Sequence, residues 1–124
     1  MDDYKGKRIA VVGVSEREEK FGYKIFHDLL LAGYPVEAVN KRGGKILGRK
    51  IYASLAELEA VPELVITVVP PKISEQIVEE CHSLGIREIW MQPGSESEAA
   101  IQTARDYGIS VIYNACFMVK SALW

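Results

Sequence analysis

From Arg8 to Ser15 the chain runs Arg-Ile-Ala-Val-Val-Gly-Val-Ser, then passes through Lys20 and Gly22 into Tyr23-Lys24-Ile25-Phe26. An unbroken apolar run cannot alternate between core and solvent. It therefore predicts a strand over residues 8–14 covered on both faces, as in a parallel sheet. Gly-x-Ser ends the run, and the apolar spacing then becomes helical, with Ile25 and Leu29, and Phe26 and Leu30, four apart. Strand, glycine turn and helix is the arrangement in which backbone N–H groups and a helix N-terminus face a phosphate. Gly13, Val14, Ser15, Lys20, Gly22 and Tyr23 are accordingly candidate binding residues. The fingerprint Gly-x-Gly-x-x-Gly is not met, because Ser15 and Glu18 hold its second and third glycine places. The same Ser15 and Glu18 have the spacing of a capping box, so a plain strand-to-helix turn stays open.

The alternation continues along the chain. A helix is predicted over 22–33, ended by Gly33, and a strand over 35–40, opening into the basic loop Lys41-Arg42-Gly43-Gly44-Lys45. Residues 46–52 read as short and extended. Ser54 is read as the cap of a brief helix to about Ala60, closed by Pro62. Leu64 to Val69 is apolar and β-branched, a central strand stopped by Pro70-Pro71. Ser74 is read as the cap of a helix to Leu84, ended by Gly85, with the fourth strand at 88–91. Gln92-Pro93-Gly94-Ser95 leads into a helix over 96–107, followed by a strand over 109–113 and a partly helical tail.

Strands alternating with helices roughly 20 to 30 residues apart predict an α/β chain. The expectation is a Rossmann-like three-layer fold, a five-stranded parallel sheet with helices on both faces, and residues 1–124 as one domain. Ligands of such sheets bind outside the carboxyl ends of the strands, where the strand order reverses. That rule adds Asn40, Lys41, Arg42, Lys45, Val69, Pro70, Pro71, Gln92, Gly94, Asn114 and Cys116 to the candidate residues.

A formal net charge of -2 gives no bulk attraction to nucleic acid, so any anion must be held by a local cluster. Every apolar run is far shorter than the ~20 residues that span a bilayer, and Met1-Asp2-Asp3 opens acidic. A cytoplasmic protein without a membrane or nucleic-acid partner is expected. Cys81 and Cys116 lack metal-ligand spacing and read as free thiols. At the end of the second strand, where an NAD site carries an acid for the ribose, stand Asn40, Lys41 and Arg42. A cationic position there fits a ligand with an extra ribose phosphate, which both NADP and coenzyme A carry; a merely solvated basic loop is the other reading. His27 lies mid-helix among apolar residues. No Ser-His-Asp order, carboxylate pair or metal set stands at the strand ends, so a binding module is expected rather than an enzyme.

In order along nearly the whole chain stand Gly13-x-Ser15 with Lys20-x-Gly22-Tyr23, Gly33-Tyr34-Pro35-Val36 leading to Val39-Asn40, Ile46-x-Gly48, Val69-Pro70-Pro71, Trp90-Met91-Gln92-x-Gly94 and Asn114-x-Cys116-x-Met118. This set resembles the small single-domain CoA-binding proteins, similar to the N-terminal CoA-binding domain of the succinyl-CoA synthetase alpha subunit. The resemblance implies coenzyme A or an acyl-CoA as ligand. Its pyrophosphate would lie near Ser15 to Gly22, its adenosine phosphate near Lys41, Arg42 and Lys45, and its adenine against Val69-Pro70-Pro71. A solitary cofactor domain fits a CoA sensor or regulatory module, with no sequence feature naming a protein partner; an NADP-binding domain of an oxidoreductase system is the alternative. Three positions depart from the family's usual pattern: Lys41 in place of Pro, Ala115 in place of Arg, and Lys120 in place of an acid.

Overall fold

In a computed structural model, which describes residues 2–124 with Asp2 and Asp3 by backbone alone, Ile9–Val12 form strand β1 and all four residues are buried. Met1, with which the acidic opening begins, lies outside the described residues. Burial on both faces is what the unbroken apolar run predicts. Helix α1 (Phe21–Leu31) follows, then β2 (Val36–Val39), β3 (Lys45–Ile46), β4 (Arg49–Tyr52) and β5 (Leu64–Thr67). The chain continues through α2 (Pro71–Leu84), β6 (Glu88–Met91), α3 (Glu98–Asp106), β7 (Ser110–Ile112) and α4 (Phe117–Lys120). The strands join in the order β3-β4-β2-β1-β5-β6-β7, so the path leaves β1 to one side and returns on the other at β5. Every pair is parallel except β3 with β4.

Alternation along the strands separates two cores. Ile9, Val11, Leu64, Ile66 and Trp90 point to the face covered by Ile25, Phe26 and Leu29 of α1 and by Phe117 and Met118 of α4. Ala10, Val12, Val65, Ile89 and Met91 point to the other, where Ile77, Val78 and Cys81 of α2 pack with Ala100, Ile101 and Ala104 of α3. The short α4 is held by burial rather than propensity. Phe117 is fully buried, edge-on to Trp90, Tyr4 and Tyr34, with ring centroids 5.0, 5.6 and 6.1 Å away. Burying such a ring stabilises by about 1.5–3 kcal/mol.

Four expectations are corrected. The sheet has seven strands, not five, because residues 46–52 do not run straight. Leu47 and Gly48 take φ values of 50° and 77° and turn the chain into a hairpin that pairs Lys45 with Lys50 and Ile46 with Arg49. Positive φ at both central residues defines the two-residue hairpin turn. Leu47 hid this turn, since Asn or Asp usually announces it. Ser74 does not cap α2, which begins three residues earlier with Pro70 as N-cap and Pro71 in the first turn, a place proline fits because its missing N–H is not needed there. The Ser74 hydroxyl is instead buried without a hydrogen-bond partner among the described residues. The predicted cap at Ser54 precedes only a 3-10 turn, Leu55–Glu57, and makes no side-chain capping bond. The Ser15–Glu18 capping box does not form either: α1 starts later, at Phe21, and its N-cap is Lys20.

Candidate functional site

Gly13 turns the chain out of β1 at φ 106°, and its N–H donates to the Val39 carbonyl (2.9 Å). A Cβ on Gly13 would overlap the Val68 carbonyl oxygen and approach Val69 Cγ1 to 2.9 Å. One on Gly22 would overlap the Gly13 carbonyl oxygen. The two glycines therefore let the β1 turn, the end of β5 and the first turn of α1 stack backbone on backbone. Val14 is fully buried in this stack. Beyond it Ser15 Oγ accepts from Arg17 N–H (3.0 Å) and Lys20 N–H donates to the Arg17 carbonyl (3.1 Å), which closes the loop on itself. The α1 N-terminus has neither a side-chain cap nor an acidic residue in its first turn. Its orphan N–H groups and positive dipole end stay available to an anion.

Asn40 is a brace. Its Nδ2 donates to the Val14 carbonyl (2.6 Å) and its Oδ1 accepts from Arg42 N–H (3.1 Å), so it ties the loop after β2 to the loop after β1. Beside it opens a cavity of about 580 Å³, within the range of about 300–1,000 Å³ usual for small-molecule sites. Gly13, Asn40, Lys41, Arg42, Val69 and Pro70, six of the candidate residues, line it. Among the described residues neither Lys41 nor Arg42 has a carboxylate within 4.0 Å, so both charges at this mouth lack an internal counter-ion. The far wall escaped sequence reasoning: Ala53 and Ser54 after β4, and Ile73, Gln76, Ile77 and Glu80 of α2. The pairs Ile73–Ile77 and Gln76–Glu80 at four-residue spacing on α2 carry that signal in the sequence.

Val68, Val69 and Pro70 also wall a neighbouring pocket of about 230 Å³ with Pro93, Gly94 and Ser95. The remaining candidates are not among the residues that line either space. Lys45 begins β3 on the sheet edge, and Pro71 is exposed in the first turn of α2. Tyr23 stacks on His27, with centroids 5.9 Å apart, in a shallow hollow with Lys24 and Trp124. Gln92 is buried and spends its amide on the tail, Nε2 donating to Cys116 Sγ (3.3 Å) and Oε1 accepting from Phe117 N–H (2.7 Å). Asn114 makes the bend before it at φ 59°. Cys81, the other thiol, is fully buried, and burial with Glu80 nearby pushes its pKa up to about 12. Among the described residues no three His, Cys, Asp or Glu side chains gather to hold a metal, and no helix is long and apolar enough to cross a membrane.

A family model described as a CoA binding domain matches residues 7–122. The alpha subunit of ADP-forming acetate–CoA ligase I of Pyrococcus furiosus is 31% identical over 122 residues, covering 86% of this chain and 26% of the subunit. The chain thus spans about a quarter of that relative's length. The uncharacterized protein YneT of Bacillus subtilis is 29% identical over 119 residues, which is 96% of this chain and 88% of YneT. A solved structure of a conserved hypothetical protein from Pyrococcus furiosus superimposes with a TM-score of 0.87 at 36% identity, covering 92% of this chain and 98% of the other.

Proposed function

Because the chain belongs to the family of CoA binding domains, we propose that it binds coenzyme A, or an acyl-CoA, across the carboxyl edge of its sheet and performs no chemistry on it. The observation that carries this reading is the cavity of about 580 Å³ whose mouth holds the unneutralised Lys41 and Arg42. In this reading the adenosine lies in that cavity, with its 3'-phosphate on Lys41 and Arg42 and its adenine against Val69 and Pro70. Proline gives an apolar wall with no N–H left unsatisfied. The pyrophosphate crosses the edge at the Gly13 turn, where the uncapped α1 N-terminus and Lys20 meet its charge. From there the pantetheine arm passes over Val68–Pro70 into the pocket beside Gly94. A role in sensing CoA or acyl-CoA is consistent with binding alone.

Charge-assisted contacts to a phosphate contribute on the order of 1.5–3 kcal/mol each. Dephospho-coenzyme A is therefore expected to bind at least about tenfold more weakly than coenzyme A, a difference of ~1.4 kcal/mol. Replacing Lys41 and Arg42 together by Ala should erase that difference and leave the pyrophosphate term. Thermal shift with coenzyme A, acetyl-CoA, NADP and NAD, followed by calorimetric titration of the two CoA forms, tests this. A shift with NAD or NADP as large as that with coenzyme A overturns the ligand assignment. A double variant that keeps the full preference overturns the placement of the adenosine end.

A further inference from the structure

Glu16 belongs to the loop after β1, yet its carboxylate lies on the loop after β2. Its Oε2 accepts a hydrogen bond from the Lys45 N–H at 3.0 Å. A Cβ on Gly44, which stands at φ 112°, would come within 2.9 Å of that carboxylate. Gly44 is the space into which the carboxylate fits. With Asn40 Nδ2 on the Val14 carbonyl, the two loops are joined twice, on both sides of the basic pair: Asn40 precedes Lys41 and Arg42, and the Glu16 contact follows them. A loop carrying two long cationic side chains loses conformational freedom when it is fixed at both ends. No Lys or Arg side-chain nitrogen among the described residues lies within 4.0 Å of the Glu16 carboxylate, so the latch holds backbone and leaves the cations free.

We infer that Glu16 is a positioning residue for recognition of the ligand's ribose phosphate, acting by latching the Lys45 backbone so that Lys41 and Arg42 are held at the cavity mouth before the ligand arrives. This rests on the assignment of that phosphate to Lys41 and Arg42. Pre-ordering the loop lowers the cost of fixing it on binding. The loss should therefore be confined to the ligand that carries the phosphate.

The test titrates coenzyme A and dephospho-coenzyme A into wild type, Glu16→Ala, Glu16→Gln and Gly44→Ala, and measures each variant's melting temperature without ligand. Wild type is expected to prefer coenzyme A by at least about tenfold. Glu16→Ala and Gly44→Ala should lower the preference to about threefold or less through weaker coenzyme A binding, with dephospho-coenzyme A unchanged. Glu16→Gln keeps an oxygen acceptor for the Lys45 N–H and should recover most of it. A wild type without preference defeats the assignment of the phosphate itself. A wild type with preference, retained in full by Glu16→Ala, defeats the latch alone. Tighter coenzyme A binding in both Glu16 variants would make Glu16 a repulsive charge and overturn the inference. So would equal weakening of both ligands in step with a lower melting temperature, which would mark a general structural role.

Discussion

A methyl group at position 22 is the sharpest probe of the site at the scale of one residue. Gly→Ala inside a helix normally stabilises by about 0.5–1 kcal/mol. At Gly22 the added carbon would overlap the Gly13 carbonyl oxygen, which is backbone and cannot swing away. Overpacking costs on the order of 1–3 kcal/mol and wins. Gly22→Ala should therefore lower the urea midpoint and weaken coenzyme A binding together, while an unchanged midpoint would show that the stack relaxes easily. The two cysteines make a second residue-scale contrast. Cys81, with its pKa pushed up to about 12, is expected to resist alkylation at pH 8 in the native state because the thiolate is the reactive form. Cys116 is only half-buried and should react first. Intact mass after brief iodoacetamide treatment should show a single adduct that Cys116→Ser abolishes. Incubation with coenzyme A disulfide under the same readout tests whether Cys116 also forms a mixed disulfide with the ligand's thiol.

The hairpin of β3 and β4 shows what an element adds. It widens the sheet beyond β2, with β4 paired to β2 and β3 at the edge. Its turn places Leu47 at φ 50°, where a side chain with Cβ is strained, and leaves that leucine 46% exposed. Left-handed backbone costs an L-residue about 1–2 kcal/mol, and Asn, which bonds locally there, loses less. Leu47→Asn should stabilise by roughly 0.5–1 kcal/mol. A higher urea midpoint with an unchanged slope would show it, and a lower midpoint would mean that the exposed leucine packs better than its surface implies. The missed hairpin, the early start of α2 and the helix caps that do not form at Ser15, Ser54 and Ser74 share one cause. Each depends on backbone angles or caps that several residue types tolerate, whereas the central strands depend on burial that only apolar runs satisfy.

At the scale of the molecule, the tail is tied back to α1. The Trp124 indole N–H donates to Asp28 Oδ2 (2.6 Å), and His27 lies 2.8 Å from Asp28 Oδ1. The hydrogen bond with His27, and then that from Trp124, hold the Asp28 carboxyl below its ordinary pKa. A carboxyl depressed in the folded state contributes stability that is present above its unfolded pKa of about 3.9 and is lost as pH falls through the folded value. Its side chain is 38% exposed, so solvent screening keeps the contribution small. The melting-temperature advantage of wild type over Asp28→Asn should therefore be largest near neutrality and shrink toward pH 3. A gap that stays constant with pH would assign the effect to packing of Trp124 alone.

The runs Ile9–Val12, 64–66 and 89–91 were legible as the buried parts of strands because a segment covered on both faces must be apolar, and the sequence records that directly. The turn at Gly13, the helix stops at Gly33, Gly85 and Gly108, and the basic loop were legible for a different local reason, since positive φ favours glycine and the charges stand side by side in the sequence. Membership of the candidate site was legible only in part. Gly13, Asn40, Lys41, Arg42, Val69 and Pro70 come together because parallel strands bring their carboxyl ends to one edge. The far wall from α2, the engagement of Gln92 by the tail and the reach of Glu16 to Lys45 were set by tertiary structure alone. Those contacts join residues distant in the chain, and their geometry depends on how deeply each loop and helix settles on the sheet.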